Sequence, residues 1–380
     1  MRTVIFGGAF DPPHKEHVRA LGCAVKAIGA ERAVILPTFL PPHKSEGFLD
    51  FDTRAELARI AFEGAAPEVV VDDIERRRGK DNYAYLVIRE MKKKYGDVVY
   101  LVGGDSLRDI GTWKCPEELL RECPLIVAPR EGAGDAEAQR ASVLEKYGGE
   151  ILLLDFMGKG MSSGRVKAEL LLGMDCDEVP EAVLGEIKRR GLFRDYADDV
   201  EKLKGMQTEE LFEHSVAAVM RAVDLNSRHN LKQDFRKVFL AALLHDNAKQ
   251  RPSLDGLDVP PDSVGTPVLH QFLGAEKARR DFGVTDEEVL SAIRLHTTAK
   301  ADMTVLEKLI YTADSTSYDR DYDPIPALRA EVDEDFERGF RALLAYTYRK
   351  LRGKRVAIYP LTMEAVRFYL PGLAEESGAE

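Results

Sequence analysis

Apolar runs of strand length alternate with amphipathic stretches over roughly the first 160 positions of the chain, after which the strand signal disappears. Thr3–Phe6 (TVIF) reads as a short buried strand, apolar from Val4 to Phe6, and the Gly/Pro-rich run GGAFDPPHKEH follows it. Positions 18–29 then carry helical spacing, and AVILP at 33–37 is a second apolar run. Strand, loop, helix, strand is how a parallel α/β sheet opens. Val69–Val71, Val98–Val102, Leu125–Ala128 and Ile151–Leu154 continue as strands, with helical stretches between them.

Beyond Leu154 the pattern is helical. Positions 165–172 and 180–190 read as helices, and RDYADDVEKLKG at 194–205 reads as a polar crossover. Helices are then predicted over 208–228, 232–249, 267–281, 285–295, 303–317 and 331–352, with a Pro/Gly/Asp-rich loop at 252–265. The expected organisation is an α/β domain over 1–197, an all-α domain over 198–371 and a frayed tail over 372–380.

A chain of 380 residues with 44% hydrophobic and 31% charged positions is long enough for two cores. Its formal net charge of −11 argues against a broad nucleic-acid surface, so phosphate binding must come from local groups. Small-molecule nucleotides are the expected partners; a homodimer is left open, and neither nucleic acid nor membrane is expected. Cys23, Cys115, Cys123 and Cys176 form no CxxC pair and read as reduced thiols. The N-terminus enters a strand directly, without a basic segment and long apolar core, and no apolar run approaches bilayer length, so a cytoplasmic location is expected.

The first candidate site is the segment Gly7–His17. Two glycines directly after a strand, Gly7 and Gly8, let the backbone approach a ligand closely. The helix expected to begin near His17 would offer amides and a positive dipole end to phosphates. His14 and His17, three apart, can present their imidazoles to one polyphosphate, and Lys44 in LPPHK is placed to neutralise charge there. Alone, such a loop reads as structure with solvated histidines. The longer string resembles the signature of nucleotidylyltransferases, and specifically of bacterial nicotinate-nucleotide adenylyltransferases. The resemblance continues through PTFLPPHK, VGGDSLRDIGTWKCPEELL, LIVAPRE and MSSGRVKAELLLG, over roughly residues 1–193.

That resemblance implies a Rossmann-like fold and adenylyl transfer from ATP, with Mg²⁺, to nicotinate mononucleotide. By motif, His14, His17 and Lys44 would act on the ATP phosphates. Gly7, Gly8 and Phe10 would line the nucleotide, Asp105 would hold one of its polar groups, and Trp113 would stack on the pyridine ring. Ser162, Ser163 and Lys167 would meet phosphate. Trp113 reads equally as a core aromatic, and the two serines as helix caps. The chain departs from the family pattern at Glu16, which stands in for the glycine of HxGH. It departs again at Gly164 and Lys167, where the family has a hydroxyl and an arginine, and at Asn82-Tyr83-Ala84 in place of SYT. Lysine keeps the charge of arginine and loses its bidentate fork.

The helical half carries His214, His245, Asp246, His270, His296 and Asp314, in the order H…HD…H…H…D. Four imidazoles and two carboxylates suit a pair of transition-metal ions such as Fe, Mn or Zn. Two such ions would activate water and steady phosphoryl oxygens. VFLAALLHD is nearly all apolar, so His245 and Asp246 should emerge at the inner end of a core helix, where a charge is costly unless coordinated. Asp314 follows the apolar face Leu306, Leu309, Ile310, Ala313 and should also point inward.

The order resembles HD-domain phosphohydrolases, in detail the symmetrical diadenosine-tetraphosphate hydrolases. EHSVAAVMRAV, AALLHDNAK, VLHQFLGAE, AIRLHTTA, LEKLIYTAD and DRDYDPIPALR carry the match over roughly 205–330. It implies that the six residues are metal ligands with iron as the metal, that Asp246 and Lys249 act on the scissile phosphates, and that Thr297 and Arg320 contact nucleotide. Lys249 reads equally as a surface residue, and His229 belongs to no motif. The family's YHTTG is LHTTA here, and its ADYIEPxR is ADSTSYDR. The whole implies a bifunctional enzyme. A non-catalytic, nucleotide-binding first domain and a different phosphate acceptor stay open as alternatives.

Overall fold

The computed structural model of the chain describes residues 1–39, 49–250, 253–254, 256–354 and 356–376. It divides into two compact units, Met1–Leu170 with Met174–Phe193 and Leu171–Gly173 with Arg194–Glu380. The first is built on a six-stranded sheet and the second on helices, as the hydrophobic pattern predicts.

In the first unit the strands are β1 (Thr3–Gly8), β2 (Arg32–Pro37), β3 (Glu68–Val71), β4 (Val98–Gly103), β5 (Leu125–Ala128) and β6 (Ile151–Leu153). All pairings are parallel and the order is β3-β2-β1-β4-β5-β6. Val4, Ile5, Val34, Ile35, Leu101 and Val127 are almost wholly buried, which is why these strands read as unbroken apolar runs. The chain grows outward from β1 to β3, then returns to the other side of β1 to place β4. At that reversal the loops after β1 and β4 diverge, and a parallel sheet of this order binds ligands in the crevice so formed, outside the carboxyl ends of its strands. The segment 7–17 leaves β1 at that point, and the helix Lys15–Ile28 begins three residues earlier than the spacing predicts, with His14 as its cap.

The second unit packs the helices Glu209–Arg228, Phe235–Leu244, Leu269–Phe282, Glu287–Leu295 and Val305–Ser315 against one another. Thr208, Asp234, Asp286 and Thr304 each cap a helix start by accepting a backbone N–H, so side chains supply the partners that the first turn lacks.

Two expectations are corrected here. The stretch read as a polar crossover contains the helix Ala197–Met206, whose two apolar anchors, Val200 and Leu203, are buried while its acids and lysines face out. The helix predicted over 331–352 is two helices, Ile325–Glu334 and Phe336–Gly353, separated at Asp335. Asp335 is extended (φ −146°, ψ 114°) and accepts from the amide of Arg338 at 2.9 Å, so an acid read as mid-helix is an N-cap. The two helices fold together at Gly339, where an added Cβ would lie 2.4 Å from the Val332 Cα.

Candidate functional site

At the carboxyl end of β1 the backbone is held from below. A Cβ at Gly7 would come within 3.1 Å of the Tyr100 hydroxyl, and one at Gly8 within 3.0 Å of the Phe10 ring. Phe10 is itself buried at a positive φ of 49° and makes edge contacts with Phe6, Phe62 and His17, so its ring supports the loop from inside the core. Arg54, fully buried, donates to the Ala9 carbonyl at 2.8 Å and to the Leu49 carbonyl at 2.9 Å. Lys167, also buried, donates to Asp11 at 2.7 Å. A buried lysine paired this way fixes the loop, because removing either partner would strand a charge.

His14 and His17 stack with ring centroids 3.7 Å apart, and the His14 amide donates to Nδ1 of His17 at 3.2 Å. Burial pushes the His14 imidazole down to about 4, with the Arg130 charge acting the same way. Burial and then the neighbouring His14 hold His17 well below its ordinary range. Both rings are therefore neutral at neutral pH. The His14 Nδ1 and the Arg130 Nε are buried without a hydrogen-bond partner among the described residues. Arg130 follows β5, and its guanidinium lies 3.6 Å from Asp105 in the short helix Gly104–Asp109 after β4. Glu16 turns toward the backbone amide of Lys159, and burial raises its pKa. The amide of Lys15 donates to the Glu178 carbonyl at 2.7 Å, so the helix start offers fewer open amides than the sequence suggested.

Of the other expected nucleotide contacts, Trp113 is half-buried and packs against core residues on both sides of its loop. Ser162 accepts from the Arg165 amide at 3.1 Å and so caps the helix Ser163–Leu171. Lys44 lies outside the described residues.

In the helical unit, six side chains from distant parts of the sequence meet. His214 comes from the helix 209–228; His245 and Asp246 follow the helix 235–244; His270 opens the helix 269–282; His296 caps the helix 287–295; Asp314 lies in the helix 305–315. Three imidazoles are pinned by their Nδ1 atoms, which donate to backbone carbonyls three residues back: His245 to Ala242 at 2.7 Å, His270 to Pro267 at 2.8 Å and His296 to Ile293 at 2.8 Å. Their Nε2 atoms are left facing the centre. The Nε2 atoms of His214 and His245 are 3.4 Å apart, and those of His270 and His296 are 3.2 Å apart.

Asp246, wholly buried, straddles the cluster. Its Oδ1 lies 3.3 Å from His296 and 3.4 Å from His270, and its Oδ2 lies 3.4 Å from His245 and 3.8 Å from His214. Asp314 stands 2.9 Å from His214 and 2.6 Å from Arg320. Burial opposes ionisation of both carboxyls, yet His245 beside Asp246 and Arg320 beside Asp314 hold them well below the carboxylate range. Burial presses His270 down to about 4. Lys249 donates to Asp246 at 2.6 Å, and the Thr297 hydroxyl lies 3.1 Å from the Nε2 of His270.

This donor set fits divalent cations. Three of the four rings donate through Nδ1 and turn Nε2 inward, the Nε2 atoms meet in two close pairs, and the Oδ1 of Asp246 is buried without a hydrogen-bond partner among the described residues. Two overlapping sets, His214, His245 and Asp314, then His245, Asp246 and His296, each bring one ligand atom per residue within 4.8 Å. Mixed imidazole and carboxylate donors suit first-row transition metals.

Residues 5–169 match the cytidylyltransferase-like family model, and residues 211–319 match that of the HD domain. A probable nicotinate-nucleotide adenylyltransferase of Gloeobacter violaceus is 32% identical over 198 residues, spanning 50% of this chain and 96% of that protein. The chain belongs to that adenylyltransferase family. Its HD half extends the likeness: a probable nicotinate-nucleotide adenylyltransferase/Ap4A hydrolase of Mycoplasma genitalium is 24% identical over 328 residues, covering 84% of this chain and 88% of its own. The expected fusion of the two domain types is thereby borne out. A solved structure of a predicted HD superfamily hydrolase involved in NAD metabolism from Clostridium acetobutylicum is 28% identical, with a TM-score of 0.44, over 47% of this chain and 98% of its own. Among the described residues, no helix is long and apolar enough to cross a membrane.

Within the adenylyltransferase half, the sequence reading missed Arg130 and Arg54. Arg130 sits in LIVAPRE, a cation two residues beyond a strand end, which is the signal that could have found it. Arg54 has no such signal, because a buried arginine on an amphipathic helix looks like a surface one until its carbonyl partners are known.

Proposed function

We propose that the chain carries two chemistries, adenylyl transfer from ATP to nicotinate mononucleotide in the first unit and hydrolysis of dinucleoside tetraphosphate to two ADP in the second. One kind of observation supports both halves: each candidate site holds buried polar atoms without a hydrogen-bond partner among the described residues. In the first unit they include the His14 Nδ1 and Arg130 Nε, and in the second the Asp246 Oδ1 and Arg320 Nε.

For the transfer, a phosphate oxygen of the mononucleotide attacks the α-phosphorus of ATP. The bond from that phosphorus to the bridging oxygen breaks, and pyrophosphate leaves. No covalent intermediate with the protein is needed, so the protein's task is alignment and charge stabilisation. The neutral rings of His14 and His17 hydrogen-bond the phosphates, and Arg130 supplies fixed positive charge beside the Mg²⁺ that accompanies ATP. Arg54 and the Lys167–Asp11 pair hold the loop in place. Asp105 holds a nucleotide hydroxyl, Trp113 stacks on the pyridine ring, and Ser162 and Ser163 face a phosphate. Lys44 adds a second cation.

For the hydrolysis, His214, His245, Asp246, His270, His296 and Asp314 would hold two divalent ions, and we assign iron. When bound, such ions supply Lewis-acid charge to phosphoryl oxygens and make water acidic enough to react near neutral pH. Asp246 orients both halves of the cluster through its two oxygens. Lys249 and Arg320 place positive charge at the cluster, next to the anhydride that water opens.

Two incubations of the whole chain test the reading: ATP, Mg²⁺ and nicotinate mononucleotide in one, diadenosine tetraphosphate and a transition metal in the other. The expected products are the dinucleotide with pyrophosphate, and ADP alone. His17→Ala should remove only the first and His296→Ala only the second. A chain that binds ATP in calorimetry but forms no dinucleotide would reduce the first unit to a nucleotide-binding module.

A further inference from the structure

His214 is held differently from its three partners. Its Nδ1 faces the carboxylate of Asp319 at 2.9 Å, where the other three imidazoles donate to neutral carbonyls. Its Nε2 faces Asp314 at 2.9 Å. The segment that carries Asp319 is itself clamped. Arg329 donates to the carbonyls of Thr316 at 3.0 Å, Ser317 at 2.8 Å and Arg320 at 2.6 Å. Asp319 thus reaches His214 from a backbone held by three hydrogen bonds of one guanidinium, although its own side chain is 35% exposed.

A carboxylate on the far nitrogen of a ligating imidazole fixes the tautomer, orients the ring and makes the near nitrogen a stronger donor than a carbonyl does. We propose that Asp319 is a positioning residue that tightens the cation position formed by His214, His245 and Asp314, making the two positions of the cluster unequal. At the other position the imidazoles of His270 and His296 have backbone carbonyls behind them, and Asp246 accepts from Lys249. The proposal rests on the two-cation reading given above.

The whole chain, loaded with the transition metal it carries when purified, is dialysed against a graded series of chelator concentrations, and the metal retained per chain is measured. Asp319→Asn is compared with wild type. The variant should release one ion at about 10–100-fold weaker chelation than wild type, the usual loss when such an outer partner is removed, and the second ion at an unchanged point. Asp319→Glu should recover part of the lost retention, and both variants, stripped of metal, should keep the wild-type far-ultraviolet circular dichroism, which a purely structural role for Asp319 would not give. Two ions released from Asp319→Asn at the wild-type points would overturn the assignment and leave the two-cation reading intact. A wild-type chain that retains no cation would overturn both.

Discussion

The two sites of this chain solve the same problem, holding phosphates in a partly buried place, with opposite means. The adenylyltransferase site is nearly free of titrating charge: His14 and His17 are stacked and neutral, and Arg130 is the cation beside them. The HD site is crowded with charge, two ionised carboxylates among four imidazoles with Lys249 and Arg320 at its edge. On the proposed reading, the first relies on preformed backbone and few cations because its ligand brings its own Mg²⁺, and the second holds its cations itself. The former gathers its groups around one contiguous loop with Asp105 and Arg130 from the segments after β4 and β5, whereas the latter needs five helices.

The comparison breaks most visibly if the sites are not independent. His245→Ala with Asp246→Ala removes the donors to both cations, a loss of several kcal/mol of charge stabilisation, and hydrolysis should fall by about a thousandfold or more. Adenylyl transfer in the same preparation should keep its wild-type rate; a parallel fall in both would show that the halves are not separate. Next in size is Arg130→Ala, which removes the fixed cation of the first site and should lower kcat of the transfer by about 10²–10³. Hydrolysis should be untouched and Arg130→Lys should recover part of the loss; a kcat within a few fold of wild type would remove Arg130 from the site.

Stability separates the halves more gently. Gly339→Ala drives a methyl against the Val332 backbone and should destabilise the second unit by about 1–3 kcal/mol, seen as a lower melting temperature for that unit alone. The smallest effect concerns pH. Folding lowers the His14 pKa from 6.5 to about 4, so between those values the unfolded chain holds a proton that the folded chain does not. Unfolding takes that proton up, and the first unit therefore loses stability as the pH falls from about 6.5 toward 4. His14→Gln should flatten that loss in thermal melts at pH 7 and pH 5. An equal loss in the variant would mean that His14 does not titrate as its burial dictates.

The contrast also explains what the chain revealed before its fold was known. The sheet was legible because its central strands are buried on both faces and read as apolar runs, and the first site because its loop is contiguous. The HD cluster was legible only as an order of residue types; the convergence of His214 and Asp314, 100 positions apart, needed the packing of their helices. Asp335 was misread because an acid between two helical stretches looks the same as one within a single helix. The partners of Asp319 and Arg54 depend on backbone atoms whose positions no local pattern encodes.

If six scattered side chains grip two cations, elemental analysis of the purified, desalted chain should find about two transition-metal ions per chain, lost when His245 and Asp246 are replaced. A chain that hydrolyses dinucleoside tetraphosphate with less than one such ion bound would contradict the two-cation reading.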